Sequence, residues 1–230
     1  MILTPKRATW KRWLRLSTTQ YSLLRSLQYE QIEGLALRGR TLDIGGGQRN
    51  SYYHLLRIEG TIESVNIDPK IVPTILSDLN HPLPIASASY DNVISFNTFE
   101  HIQNDRLVIA EAVRVLKPNG QFHFMIPFLY RVHASPSDYH RHTAFWWVEF
   151  LKSLALSPEQ IVVEPLTWSP LSSAFSLVEF RRFRGLRKKW IMLRAVLSQM
   201  RWSSDERLPD GPIGEHHADL ALGYYVHGTK

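Results

Sequence analysis

A chain of 230 residues, 44% hydrophobic and 21% charged, has the balance of one globular domain, which excludes disordered, collagen-like and coiled-coil classes. It holds no Cys, so disulfide scaffolds, thiolate nucleophiles and Cys-ligated zinc are excluded, and no apolar run reaches the roughly 20 residues of a membrane-spanning helix. The formal charge of +6 is segregated: residues 1–40 carry eight Lys/Arg against Glu30 and Glu33, residues 169–202 carry eight against Glu179, and the rest is acidic.

Residues 1–40 read as a basic helical segment and residues 41–230 as the domain proper. Thr41-Leu42-Asp43-Ile44 is a short apolar strand ended by Gly45-Gly46-Gly47, and the apolar spacing of Tyr52 to Ile58 predicts a helix. Strands follow at 64–68, stopped by Pro69, at 74–78, and at 91–96. Leu107, Ala110, Val113 and Leu116 predict a helix over about 100–116, closed by Lys117-Pro118-Asn119-Gly120. A fifth strand is expected at 121–126, a helix at 144–156, a strand at 161–164 and a last strand near 220–226. Before that last strand, Leu177, Phe180, Leu186, Trp190, Leu193 and Leu197 predict amphipathic helices in an insertion over about 169–218.

Short apolar strands separated by helices imply parallel pairing with right-handed crossovers. The expected fold is α/β: a Rossmann-like, mostly parallel, seven-stranded sheet with helices on both faces, and a ligand beyond the strands' C-terminal ends. Three glycines after the first strand let the backbone turn sharply and leave room for a ligand at the next helix's N-terminus. Asp43 at that turn, Asp68 at the second strand tip and Asp78 at the third sharpen the signal, because a second-strand carboxylate grips ribose hydroxyls in nucleotide-binding sheets. Asp43 would repel a pyrophosphate and attract an ammonium or sulfonium group, so the cofactor is expected to be cationic there. The alternative is that Asp68 and Asp78 are ordinary strand-end turn residues.

Leu42 to Gly47, Asn66-Ile67-Asp68, Ser77-Asp78-Leu79, Leu83-Pro84 to Ser95, Phe99 to Ile102 and Arg114 to Pro118 occur in an order that resembles class I S-adenosylmethionine-dependent methyltransferases. The resemblance covers about residues 41–130. It implies that the backbone of Gly45, Gly46 and Gly47 approaches the methionine end of S-adenosyl-L-methionine with Asp43 near its ammonium group. It further implies that Asp68 holds the ribose, that Asp78 and the Leu79 backbone meet adenine, and that Asn97 borders the cofactor. Arg49 replaces the usual third glycine of the loop.

The stretch from Pro127 to Thr143 concentrates His, Tyr, Asp and Arg at the edge where substrate is expected. Its pattern resembles a subgroup of the methyltransferase type 11 family associated with surface polysaccharide synthesis. If the acceptor is a hydroxyl, a base is needed; His133 and His140 are candidates, Asp138 would fix the tautomer of a neighbouring His, and Arg141 would clamp an acidic acceptor. The bland alternative makes Asp138 and Arg141 a structural ion pair and Thr143 the cap of the following helix, the preferred reading for Thr143. Glu100-His101 is expected to border the methyl group or to start a helix. His216 and His217 are adjacent and poorly placed to share an ion, so no metal is expected.

Both basic segments also carry aromatic residues, Trp10 and Trp13 in one and Phe180, Phe183, Trp190 and Trp202 in the other. They read either as solvated helix faces or as contacts with an anionic partner such as a membrane surface. The expected partners are a small-molecule or lipid-linked glycan acceptor and an anionic membrane, with a cytoplasmic location peripheral to the inner face. Two other assignments compete. A nicotinamide-dependent oxidoreductase is disfavoured because Asn50 holds the expected third glycine position, and a nucleic-acid-binding platform is disfavoured because no accompanying binding module is visible.

Overall fold

The computed structural model describes residues 1–2, 10–11, 21–48, 50–134, 136–167, 170–177 and 220–230, and the single positions Leu186, Lys189, Trp190, Leu193, Arg194 and Leu197. Seven strands, β1 (Ala36–Ile44), β2 (Arg57–Asn66), β3 (Ile75–Leu76), β4 (Tyr90–Phe96), β5 (Leu116–Pro127), β6 (Ile161–Leu166) and β7 (Gly223–Thr229), form one sheet in the order β3-β2-β1-β4-β5-β7-β6. β7 runs antiparallel to β5 and β6, and the other pairs are parallel. This is the Rossmann-like, mostly parallel sheet expected from the sequence. The chain builds outward from β1 to β3 and then returns to place β4 on β1's other side. The topological switch therefore lies between β1 and β4, where such sheets bind ligands beyond their C-terminal tips.

Neighbouring residues on one strand point to opposite faces, so the two buried clusters identify two layers. Leu42, Val93, Phe122 and Phe124 pack with Val108, Ile109 and Ala112 of α2 (Asp105–Val115) and Trp147 and Leu151 of α3 (Ala144–Ser153). On the other face Ile94, Phe96 and Met125 pack with Leu23, Leu24, Leu27 and Ile32 of α1 (Leu23–Ile32). Side-chain caps start two of these helices: Ser22 accepts the Arg25 N–H at 3.2 Å, and Thr143 accepts the Trp146 N–H at 3.3 Å, as expected for Thr143. A further helix, α4, spans Pro170–Leu177.

The structure departs from the sequence reading in three places near the site. β1 begins at Ala36, inside the segment read as basic and helical, and α1 from that segment covers one face of the sheet. The helix expected over Tyr52 to Ile58 is a 3-10 turn, Tyr53–Leu55, after which β2 begins at Arg57 and pairs with β1 from Ala36↔Arg57 to Ile44↔Val65. A helix of two turns is marginal by itself, whereas a full parallel ladder satisfies the backbone of both strands. The glycine turn therefore does not lead into a helix N-terminus. Finally, Lys117 to Gly120, expected as a helix end, belong to β5, which the register shift between Tyr90 and Asn92 lets start at Leu116. Most of the 169–218 insertion, with Phe180, Phe183, Trp202, His216 and His217, lies outside the described residues, as do Trp13 and Arg49.

Candidate active site

The tips of β1, β2 and β4 converge at the switch point and are locked to one another. Gly45 takes a left-handed φ of 85°, and a Cβ there would collide with Thr98, whose hydroxyl donates to the Ile44 carbonyl at 3.2 Å. A Cβ on Gly46 would collide with the Asp43 carboxylate, and one on Gly47 with Ile71. The three glycines are thus required by the protein's own close packing. That corrects the expectation that their missing side chains leave space for a ligand. The β2 tip is tied to the same turn, since Asn66 Nδ2 donates to the Gly45 carbonyl at 2.7 Å.

Asp43 is fully buried. Its Oδ2 accepts from the hydroxyls of Tyr52 at 2.6 Å and Tyr53 at 2.8 Å and from Asn50 Nδ2 at 3.0 Å, while Oδ1 has no partner. Burial pushes this carboxyl up to about 6 against the pull of those three donors. Burial and the neighbouring Asp43 push the Tyr52 and Tyr53 hydroxyls above their ordinary range, so both remain donors. Asp68 is exposed at the β2 tip, where its Oδ1 accepts the Lys70 N–H at 2.9 Å and caps a 3-10 turn over Pro69–Ile71. Asp78 Oδ1 accepts from the backbone and side chain of Asn80 at 2.9 and 3.0 Å, bonds that hold its carboxyl below the usual range; Leu79 beside it is buried. The turn-residue reading of Asp68 and Asp78 therefore has a structural counterpart. Asn97, at φ 55°, forms a reciprocal amide pair with Gln28 of α1, at 2.7 and 3.1 Å. Its side-chain amide is engaged with α1 and the residue is half-buried.

Past β4 a 3-10 turn, Phe99–His101, carries a second buried carboxylate. Glu100 is inaccessible to solvent, and neither of its oxygens has a hydrogen-bond partner in another residue; burial pushes it up to about 8. Its Oε1 faces His101 Nε2 at 3.6 Å and His133 Nε2 at 3.9 Å. The 127–143 stretch folds back over this turn, with the Tyr139 N–H donating to the Glu100 carbonyl at 2.7 Å.

Within that stretch the structure gathers three of the four candidate catalytic residues. Asp138 Oδ2 accepts the His133 backbone N–H at 2.8 Å and lies 3.3 Å from its Nδ1, whose hydrogen-bond partner is the Arg131 carbonyl at 3.3 Å. Arg141 grips Asp138 through two bonds, of 2.5 and 2.7 Å. Burial raises the Asp138 carboxyl, but Arg141 and the His133 N–H outweigh it and hold it at about 2. Burial, then the neighbouring His101, lower His133. Arg141's fork is engaged inside the protein, so the structural ion pair is what the geometry shows and an acceptor clamp is not. His140 stands apart, with Nε2 3.1 Å from the Gln103 carbonyl oxygen and 3.8 Å from Asp105. The sequence reading missed Glu100 as the centre of the cluster and Gln28, Tyr52, Tyr53 and Thr98 as supports. The available signal was a charged pair, Glu100-His101, set in the apolar surroundings of Phe99 and Ile102.

Comparison with known proteins bears on this arrangement. Residues 42–124 match a family described as the methyltransferase domain. The methyltransferase domain match includes Asp43, the glycine turn, Asp68, Asp78 and Glu100 and stops short of His133 to Arg141. A chain from the complex between the Haloferax volcanii Trm112 methyltransferase activator and a methyltransferase superposes with a TM-score of 0.53 at 12% identity, over 90% of this chain and 88% of that one. YcgJ of Bacillus subtilis follows with 0.48 at 14%, over 90% and 97%. A Haemonchus contortus phosphoethanolamine N-methyltransferase gives 0.49 at 13%, over 97% of this chain and 52% of the other. The first of these shows the fold. No curated protein matches the sequence.

Proposed function

We propose that this protein is an S-adenosylmethionine-dependent methyltransferase acting on a small or lipid-linked acceptor, with a sugar hydroxyl or acid group of a surface glycan as the acceptor class. The observation that carries the reading is the buried Asp43 carboxylate beneath the glycine turn, with Oδ1 unpartnered, inside the segment that matches the methyltransferase domain. A buried carboxylate oxygen without a donor suits a cationic ligand and opposes a pyrophosphate. Asp68, exposed two residues beyond β2, is the group to hold ribose hydroxyls.

When bound, S-adenosylmethionine supplies an electrophilic methyl group on a sulfonium. The chain's own residues must then align an acceptor and exclude water. His133, beside Glu100 and His101 past the tip of β4, is the group to take up an acceptor's proton. Asp138 orients His133 for that role through its Nδ1. Among the described residues no helix is long and apolar enough to cross a membrane. The Arg181, Arg182, Arg184 and Arg187 cluster is proposed to hold the enzyme at an anionic membrane face, and charge reversal there should abolish sedimentation with anionic liposomes.

Titration calorimetry with S-adenosylhomocysteine and with NAD tests the central reading. S-adenosylhomocysteine should bind, and Asp68→Ala should weaken it roughly 10–150-fold, the worth of hydrogen bonds to a charged group. Binding of NAD in its place, or no effect of the substitution, overturns the assignment.

A further inference from the structure

The Glu100–His101–His133 cluster poses a problem of hydrogen bookkeeping. His101 Nδ1 lies 2.5 Å from the Ser137 carbonyl oxygen, and His133 Nδ1 lies 3.3 Å from both the Arg131 carbonyl oxygen and Asp138 Oδ2. Those neighbours are all acceptors, so each Nδ1 carries the ring hydrogen and each Nε2 presents a lone pair. Both lone pairs then face Glu100 Oε1, itself an acceptor with no donor from any other residue and no exposure to water. Three acceptors converging on one point are satisfied either by a proton on the Glu100 carboxyl or by a cation held between all three, and only a cation engages both imidazoles at once. The ligand atoms of these side chains lie within 4.8 Å of one another.

We propose that Glu100, His101 and His133 form a binding site for a divalent transition-metal ion, held by Glu100 Oε1 and the two Nε2 atoms with further coordination positions open to a ligand. Two imidazoles and a carboxylate select zinc or another first-row ion over magnesium or calcium, which take oxygen shells. Metal–nitrogen bonds of roughly 2.0–2.1 Å set neighbouring tetrahedral ligands about 3.3 Å apart. The observed 3.6 and 3.9 Å separations need only a small inward movement of the rings. The outer contacts are those of a metal centre, where a ligating imidazole donates its other N–H to a carbonyl or carboxylate. Arg141, on the far side of Asp138, keeps that carboxylate ionised and in place.

The neighbouring trio Asp105, His140 and His142 shows the contrast. There His142 Nε2 already lies 2.5 Å from Asp105 Oδ2, and a hydrogen on that nitrogen satisfies the contact without an ion. Resting on the methyl-transfer reading, an ion at Glu100 would anchor an acceptor oxygen and make its hydroxyl acidic enough to release its proton to solvent, and His133 would then serve as a ligand in place of a base.

The full-length chain, stripped with a chelator and dialysed, should bind one equivalent of zinc in titration calorimetry and give a cobalt(II) visible absorption band. Glu100→Gln and His133→Ala should each weaken zinc by more than the roughly 10–100-fold cost of deleting a group that merely orients a ligand. His227→Ala, remote on β7, should leave zinc affinity unchanged. Absence of stoichiometric binding, unchanged affinity in both cluster variants, or equal affinity for magnesium overturns the site. Should Glu100→Gln fail to fold, His133→Ala carries the test, because that side chain is 34% exposed. S-adenosylhomocysteine binding by the metal-free chain is read alongside. Zinc without the nucleoside sinks the methyl-transfer reading alone, and the nucleoside without zinc sinks the metal site alone.

Discussion

Asp43 and Glu100 are both wholly buried carboxylates, one at the tip of β1 and the other just past adjacent β4, yet the protein treats them differently. Asp43 sets one oxygen against three donors from the 50–53 turn, whereas Glu100 faces two imidazole nitrogens and has no donor from another residue. The first carboxylate holds a loop together. The second has no donor from another residue on either oxygen and costs stability until a cation or proton meets it, whereas Asp43 leaves only Oδ1 unpartnered.

That contrast can be broken most directly at Asp43. Asp43→Ala removes the acceptor shared by the Tyr52 and Tyr53 hydroxyls and Asn50, leaving the Asn50–Tyr52 bond, and urea denaturation should show a loss of about 2–4 kcal/mol, with Asp43→Asn milder because an acceptor remains. Glu100→Met should do the reverse in metal-free protein and raise stability by about 1–2 kcal/mol, because an unpartnered buried carboxylate is removed. A loss of similar size would show that Glu100 is satisfied after all. The third effect is on pH. The folded pKa of Asp43, about 6, lies above its ordinary 3.8, so its contribution to stability is fully present below 3.8 and disappears as the pH rises through about 6. A cationic cofactor requires the ionised form, so S-adenosylhomocysteine affinity should fall roughly tenfold per unit below about pH 6 in calorimetry, and Asp43→Asn should flatten the profile. The smallest effect is expected at Thr143→Ala, about 1 kcal/mol from losing the α3 cap, with zinc and nucleoside binding unchanged.

Much of this was legible in the sequence. Apolar runs ended by Gly, Asp or Pro located the C-terminal parts of β1 and β2 and the core of β4, which puts Asp43 next to last in β1 and Asp68 and Asp78 two residues past β2 and β3. The Tyr52 to Ile58 segment misled because its apolar spacing is helical, while the ladder that overrides it depends on Ala36 to Arg40, which read as part of a basic segment. Cross-strand pairs such as Arg38–Glu59 and Arg40–Glu63, both 2.8 Å, explain why those charges lie on a strand, and a sequence cannot show such partners. The Glu100 cluster was hidden for the same reason. His133 is 33 residues from Glu100, and only the return of the 127–143 stretch over the β4 tip brings them together.

The amide pair between Gln28 and Asn97 joins residues 69 positions apart. It fastens the peptide leading into Glu100 to a helix outside the 42–124 stretch that matches the family. A fragment trimmed to that stretch would lose this anchor, the first residues of β1 and the α1 side chains that pack on Ile94 and Phe96. A shortened version of this chain must therefore keep the upstream helix to hold the peptide that leads into Glu100.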